Sequence, residues 1–119
     1  MTLQECYAAM GANYNDVLGR LRKEERIRKF LLMALEDSSY DLLCSSLKER
    51  NLSEAFRAAH TIKGVSSNLS LTELYQASSE LSDVLRNRED YGEDIEPAFE
   101  RVAQAYAKTA ECIRALAQE

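Results

Sequence analysis

Apolar residues recur at helical spacing along almost the whole chain, and few residues interrupt the pattern. The 119 residues contain one proline and four glycines, too few for the turns of a loop-rich or all-β protein. Ala, Leu, Glu and Arg dominate the composition, and all four favour helices. No linker, repeat or low-complexity stretch divides the sequence, which therefore predicts a single all-α domain over residues 1–119.

The apolar pattern predicts seven helical segments, of which the first two are short. Residues with N-capping side chains mark several of the boundaries, namely Asp37, Ser38, Ser39, Asn51 (with Glu54), Ser70 (with Glu73, a capping box) and Asp94. Long amphipathic helices joined by short connections favour an antiparallel four-helix bundle. We expect its core over about residues 22–117, with the short additional N-terminal helices across one end.

The charge distribution argues against a nucleic-acid partner. The formal net charge is −5, and no basic tail is present, whereas nucleic-acid binding requires a concentrated cationic face. The densest basic run is "RLRKEERIRK" at residues 20–29. Within it, Glu24 and Arg28, like Glu25 and Lys29, have the i,i+4 spacing of helical ion pairs. We interpret this run as a solvated helix face.

Three cysteines, Cys6, Cys44 and Cys112, are widely separated and form no CxxC or Cys/His pair. They predict buried or half-buried thiols in a reducing compartment and no metal site. The first residues, "MTLQECYAAMG", do not resemble a signal peptide. No stretch approaches the roughly 20 apolar residues that cross a bilayer. The sequence predicts a cytoplasmic protein with no membrane partner.

His60 is the only histidine in the chain, and its helix should turn it toward solvent. On a helical wheel the expected core face gathers Leu52, Ala55, Ala59, Ile62, Ser66 and Leu69. The centre of that face lies about 140° from His60. A lone histidine is usually a satisfied core or surface residue, and the wheel leaves only the surface alternative.

Lys63, Gly64 and Ser67 lie on the same side of the wheel as His60. Glycine inside a helix costs about 1 kcal/mol relative to alanine, and here it removes the side chain that would block a molecule approaching the imidazole. An ordinary histidine has a pKa of about 6.5, so its neutral ring can act as a nucleophile near neutral pH. Lys63 supplies a positive charge for a negative group on that ring. The set suits a phosphoryl group passed between proteins.

The segment His60-Thr-Ile-Lys63-Gly64-Val-Ser-Ser-Asn-Leu69 resembles the signature of the histidine phosphotransfer (HPt) domain of bacterial multistep phosphorelays. The preceding "EAFRAAH" and the following "LTELYQASSELSDVLR" are also similar to the family. The specific motif covers about a dozen residues, and the helical layout extends the resemblance from about residue 14 to 115.

The resemblance implies a four-helix bundle that carries phosphate on Nε2 of His60 and exchanges it with the aspartate of a response-regulator receiver domain. Lys63 would stabilise the phosphohistidine and Gly64 would leave room for the receiver. The receiver would supply the Mg²⁺, so no cofactor is expected on this chain. A hybrid sensor kinase is a second candidate partner. The chain shows no glycine-rich phosphate loop and is expected to be a carrier, not a kinase. A monomer is expected.

Several partner contacts follow as weaker expectations. Phe56 and Arg57 precede His60 by about one turn, and Ser67 follows on the same side. Many family members place a Gln on the neighbouring helix near the histidine, and the matching position here is Ser82, with Arg86 one turn beyond. The family often has Gly where this chain has Ser70, which puts a glycine-dependent left-handed turn there in doubt.

Other functions remain open from the sequence. The chain could be a helical adaptor that binds a receiver without accepting phosphate, although such a protein would need neither His60 nor Lys63. It could also be the phosphoacceptor fragment of a chemotaxis-type kinase. A hydrolase using Ser66, Ser67 or Ser70 lacks an orienting carboxylate. A metal site in the bundle lacks inward carboxylates at Glu-x-x-His spacing.

Overall fold

The computed structural model describes residues 1–118, all of whose regular structure is helical. It contains seven helices: α1 (Leu3–Ala9), α2 (Tyr14–Leu21), α3 (Glu24–Glu36), α4 (Ser39–Lys48), α5 (Leu52–Asn68), α6 (Thr72–Leu85) and α7 (Ile95–Ala117). In chain order, α4 packs on α5, α5 on α6 and α6 on α7. The rings of Tyr40 in α4 and Tyr106 in α7 stack with their centroids 3.9 Å apart, which closes the ring of four helices. The predicted all-α four-helix bundle is confirmed.

One hydrophobic cluster runs through the molecule and includes buried residues from every helix. The core-facing residues expected for α5, from Leu52 to Leu69, are all buried. The N-terminal helices contribute to the hydrophobic core, because Cys6 and Tyr7 of α1 and Val17 of α2 have no exposed surface. Within residues 1–118, no helix is both long and apolar enough to span a lipid bilayer.

Two expected helix caps have a different partner in the structure. The predicted capping box of Ser70 and Glu73 is wrong, because Ser70 adopts a left-handed φ of 56° and Leu71 stands at the N-cap of α6. Asp94 does precede α7, but its carboxylate accepts two hydrogen bonds from Arg88, both 2.8 Å long. In both cases an arginine forms hydrogen bonds with the side chain that the sequence spacing assigns to the helix cap.

Residues with capping side chains do begin α4 and α5. Asn51 accepts from the amide of Glu54 at 3.3 Å, as predicted. At the start of α4 the side chain that bonds the backbone is Asp37, which accepts from the amide of Ser39 at 2.8 Å. The left-handed turn at Ser70 forms even though no glycine is present. The expectation that such a turn is doubtful here is therefore wrong.

The basic run at residues 20–29 is only partly a solvated face. The guanidinium of Arg20 donates to the backbone oxygens of Ser67 and Asn68, at 3.1 and 2.9 Å. Glu24 accepts a hydrogen bond from the hydroxyl of Tyr14. The three cysteines are free thiols, two buried and Cys44 half-buried, as the sequence predicted.

Tyr7 joins α1 to the end of α5, and its hydroxyl provides a test of that contact. The hydroxyl donates to the backbone oxygen of Leu69 at 2.9 Å in a buried position. We expect Tyr7→Phe to lower the free energy of unfolding in urea by about 1–3 kcal/mol, because it leaves a buried acceptor without its donor. Tyr14→Phe is the matched control, since it removes an exposed hydroxyl–carboxylate contact, and we expect a loss of at most about 1 kcal/mol. Equal losses for the two variants would contradict this account.

Candidate functional site

His60 lies near the middle of α5, on the side away from the bundle core. Its imidazole is exposed, whereas Ala59 beside it is completely buried and Ile62 two residues later is 6 % exposed. The same backbone therefore presents a packed face to α4 and α6 and an open face to solvent. The prediction that the ring points outward is confirmed.

The imidazole is part of a stack of three side chains, together with Phe56 and Arg86. The ring of Phe56, one turn earlier on α5, stacks on the imidazole with the centroids 5.9 Å apart and the planes inclined by 21°. On Phe56 lies the guanidinium of Arg86, at the end of α6, with its carbon 5.4 Å from the ring centroid. Arg86 also pairs with Asp83 at 3.2 Å. The stack places a cation on the aromatic ring that neighbours the histidine.

Lys63 provides a second cation, one turn after His60. Its side chain is half-buried, and its ammonium lies 6.0 Å from the centre of the Tyr75 ring on α6. A cation–π contact at an exposed site is worth only about 0.5–1 kcal/mol. The ammonium is therefore braced, but it can leave the ring for a stronger partner such as a phosphoryl oxygen.

Gly64 leaves the surface beside His60 open. A Cβ atom built at this position meets nothing within 4 Å. No contact inside the protein therefore requires glycine here, although glycine costs the helix about 1 kcal/mol relative to alanine. Ser67, one turn further along α5, is also exposed. The surface that follows His60 consists of small side chains that a flat partner can approach.

The remaining expected contact residues are not all on this surface. Arg57 is exposed and pairs with Glu54 at 2.9 Å. Ser82 is completely buried on α6, and its hydroxyl has no hydrogen-bond partner within residues 1–118. The prediction that Ser82 contacts a partner is wrong, because a serine is too short to reach the surface from this inward position. The inward position of Ser82 is consistent with its spacing, because residues four apart on a helix lie on the same face and Ser78 is also buried.

Tyr75 is the site residue that sequence reasoning missed. It lies on α6, is half-buried, and its ring supports the ammonium of Lys63. A tyrosine often lies at the edge of a core with its polar end outward, which was the available signal.

Two of the serines near His60, Ser66 and Ser70, have other hydrogen-bond partners. Ser66 is buried and donates to the backbone oxygen of Ile62 at 2.7 Å. Ser70 donates to Asp16 at 2.5 Å. Neither hydroxyl is bonded to the imidazole, as a serine nucleophile would be. In the part of the chain that the structure describes, no three His, Cys, Asp or Glu side chains form a group that could hold a metal ion.

The arrangement is an exposed imidazole with a lysine one turn further along its helix, an arginine on the neighbouring Phe56 ring, and open space at Gly64. Such a set can accept an anionic group from a second molecule and stabilise the charge it brings. A sequence model of the Hpt domain matches residues 27–118 of this chain. No curated protein sequence and no solved structure matches it.

Proposed function

Because this chain belongs to the Hpt domain family, it has a phosphotransfer role in phosphorelays, and we propose that His60 is the residue that carries the phosphoryl group. Hpt domains are carriers that interact with receiver domains. In our proposal His60 exchanges the group with the aspartate of a response-regulator receiver domain. The observation that carries the proposal is the exposed imidazole with Lys63 and the open surface at Gly64 one turn further along the helix.

The proposed step moves one phosphoryl group between two side chains. Nε2 of the neutral imidazole attacks the phosphorus of the receiver's aspartyl phosphate. A P–N bond forms while the P–O bond to the aspartate breaks, and the carboxylate leaves with the bonding electron pair. The reverse reaction returns the group to a receiver. In-line attack needs open space along the approach to the ring, which supports a role for Gly64.

Charge stabilisation in this step falls to groups on both proteins. Mg²⁺ is expected on the receiver, and this chain brings no cofactor and no ATP site of its own. Lys63 moves from the Tyr75 ring to the phosphoryl oxygens. Arg86 is the second candidate cation, since it lies only one ring away from the imidazole. Phe56, Arg57 and Ser67 are proposed contacts with the receiver.

The decisive experiment is transfer from phosphorylated receiver domains. The purified chain is mixed with a panel of such domains and Mg²⁺, and the product is tested for acid-labile, alkali-stable phosphate. Label on His60 supports the carrier. Binding without label would indicate the receiver-binding adaptor instead. We also expect the protein to be a monomer, which size-exclusion chromatography can test. Its expected location is the cytoplasm, which cell fractionation can test.

Lys63→Ala should shorten the lifetime of the phosphohistidine. Removing one nearby charge from an exposed ion pair costs about 1 kcal/mol, which corresponds to a roughly three- to tenfold faster loss of label. The measurement is the decay of acid-labile phosphate after the donor is removed. Lys108→Ala is the control, because Lys108 is an exposed lysine paired with Glu73 at 2.8 Å. If both variants lose label at the wild-type rate, Lys63 does not contact the phosphoryl group.

A further inference from the structure

The C-terminal end of α5 is capped by residues that lie far earlier in the chain. The last carbonyl groups of a helix have no partner within the helix and usually bond to water or to a following turn. Here the amide of Ser70 bonds back to the Ser67 oxygen at 3.2 Å, and in addition the backbone oxygens of four consecutive residues accept hydrogen bonds from the α1–α2 region. The pairs are Arg20 to Ser67 (3.1 Å), Arg20 to Asn68 (2.9 Å), Tyr7 to Leu69 (2.9 Å) and Asn13 to Ser70 (2.9 Å).

Two side chains, Asp16 and Ser70, hold Arg20 in this position. Asp16, one turn earlier on α2, pairs with its guanidinium at 2.9 Å. Ser70 accepts from Arg20 at 3.0 Å and donates to Asp16 at 2.5 Å. These bonds, with Ser70 contributing most, hold the pKa of the Asp16 carboxyl below its usual range. They also hold the left-handed turn at Ser70, a conformation that a serine rarely adopts without support.

The capped turn belongs to the surface next to His60. Ser67 accepts from Arg20 through its backbone oxygen, and its side chain is exposed on the same side of α5 as the imidazole. Gly64 lies one turn before it. Arg20 itself precedes residues 27–118, over which the chain matches the Hpt family. An element outside the matched region thus fixes the end of the helix that carries the histidine.

We propose that Arg20 is a positioning residue for phosphoryl transfer: it orders the last turn of α5, and with it the surface on which a receiver docks beside His60. The inference rests on the proposed function. Helix ends fray unless their carbonyl groups are satisfied. A frayed last turn would leave the imidazole reactive but would present Ser67 and its neighbours to the receiver in many arrangements. Arg20 therefore affects reaction with a protein donor and not reaction with a small donor.

The test compares two phosphoryl donors on Arg20→Gln. Phosphoramidate is a small donor that needs no docking surface, and the protein donor is the receiver domain that labels the wild-type chain fastest in the panel. We expect phosphoramidate to label the variant within about twofold of the wild-type rate, while kcat/KM for the receiver falls about tenfold or more, mainly through KM. Hydrogen exchange measured by mass spectrometry should rise in peptides covering residues 65–71. Arg20→Lys keeps a hydrogen-bond donor, so it should recover part of the receiver transfer rate and part of the protection from exchange.

Arg101→Gln is the matched control, because Arg101 forms an exposed pair with Glu80 between α6 and α7. It should leave the labelling rates with both donors, and the hydrogen exchange of residues 65–71, unchanged. Wild-type receiver kinetics in an Arg20→Gln protein with raised exchange would overturn the inference, as would slow receiver transfer with unchanged exchange, which would indicate direct contact with the partner. If neither phosphoramidate nor any receiver labels the wild-type chain, the proposed function itself fails, and this inference with it.

Discussion

We expect His60→Gln to lose all phosphate acceptance and to keep the stability of the wild-type protein. Glutamine is polar and similar in length, but its amide nitrogen is not a nucleophile. The imidazole is exposed and lies on the side of α5 away from the core, and surface substitutions usually change stability by at most about 0.5 kcal/mol. For a domain of this size that corresponds to a shift in melting temperature of roughly 2–4 °C at most.

Both quantities are measured on the same preparation. Label from phosphoramidate and from a receiver should fall to background, while circular dichroism gives an unchanged helix signal and melting curve. Label that persists would place the acceptor at another residue. A melting temperature lowered by ten degrees or more would show that the stack with Phe56 contributes to the fold, and that the loss of label could follow from unfolding.

The second large effect is expected at Gly64. Replacing it with glutamine adds a side chain to the surface that the receiver must approach, and transfer from the receiver should slow by about tenfold or more because the reacting atoms can no longer come into line. The protein itself tolerates the change, since a Cβ at this position meets nothing within 4 Å. Glutamine also favours the helix, so the free energy of unfolding should rise by up to about 1 kcal/mol.

Gly19→Gln separates these two consequences. Gly19 lies within α2, is exposed, and likewise has no atom within 4 Å of a built Cβ. Both variants should therefore gain stability in urea, but only Gly64→Gln should lose transfer. Unchanged transfer in Gly64→Gln would mean that the receiver docks elsewhere on the chain. Equal slowing in both variants would mean that the effect does not come from the surface beside His60.

The periodicity of apolar residues was enough to predict the helices, the bundle and the outward direction of His60. These features depend on local spacing, because burying one face of a helix turns the opposite face to solvent. The cluster around the imidazole was predictable only in part. Phe56 and Lys63 lie on the same helix as His60, and their placement follows from the wheel. Tyr75 and Arg86 come from α6, so their contacts depend on how two helices pack.

Two of the errors share one physical cause, a competing arginine. Ser70 and Asp94 have the spacing of helix caps, yet each side chain is bonded to an arginine instead. Arg20 is brought to Ser70 from α2 by the tertiary fold, and Arg88 reaches Asp94 from six residues earlier in the chain. A charged hydrogen bond is stronger than a neutral one and can displace a local cap. The expectation for Ser82 follows from the family resemblance alone. The wheel puts it four residues after Ser78, on the buried side of α6.

The stack of Phe56 on the one imidazole of the chain also gives the protein a built-in spectroscopic probe. A single histidine produces a single pair of imidazole resonances in a proton NMR spectrum. The Phe56 ring, with its centroid 5.9 Å away and its plane tilted by 21°, shifts those resonances through its ring current. A phosphoryl group bound to the ring would change both their chemical environment and the stacking. In a sample of this protein alone, the phosphorylated and unphosphorylated forms can thus be quantified in real time without isotope labelling.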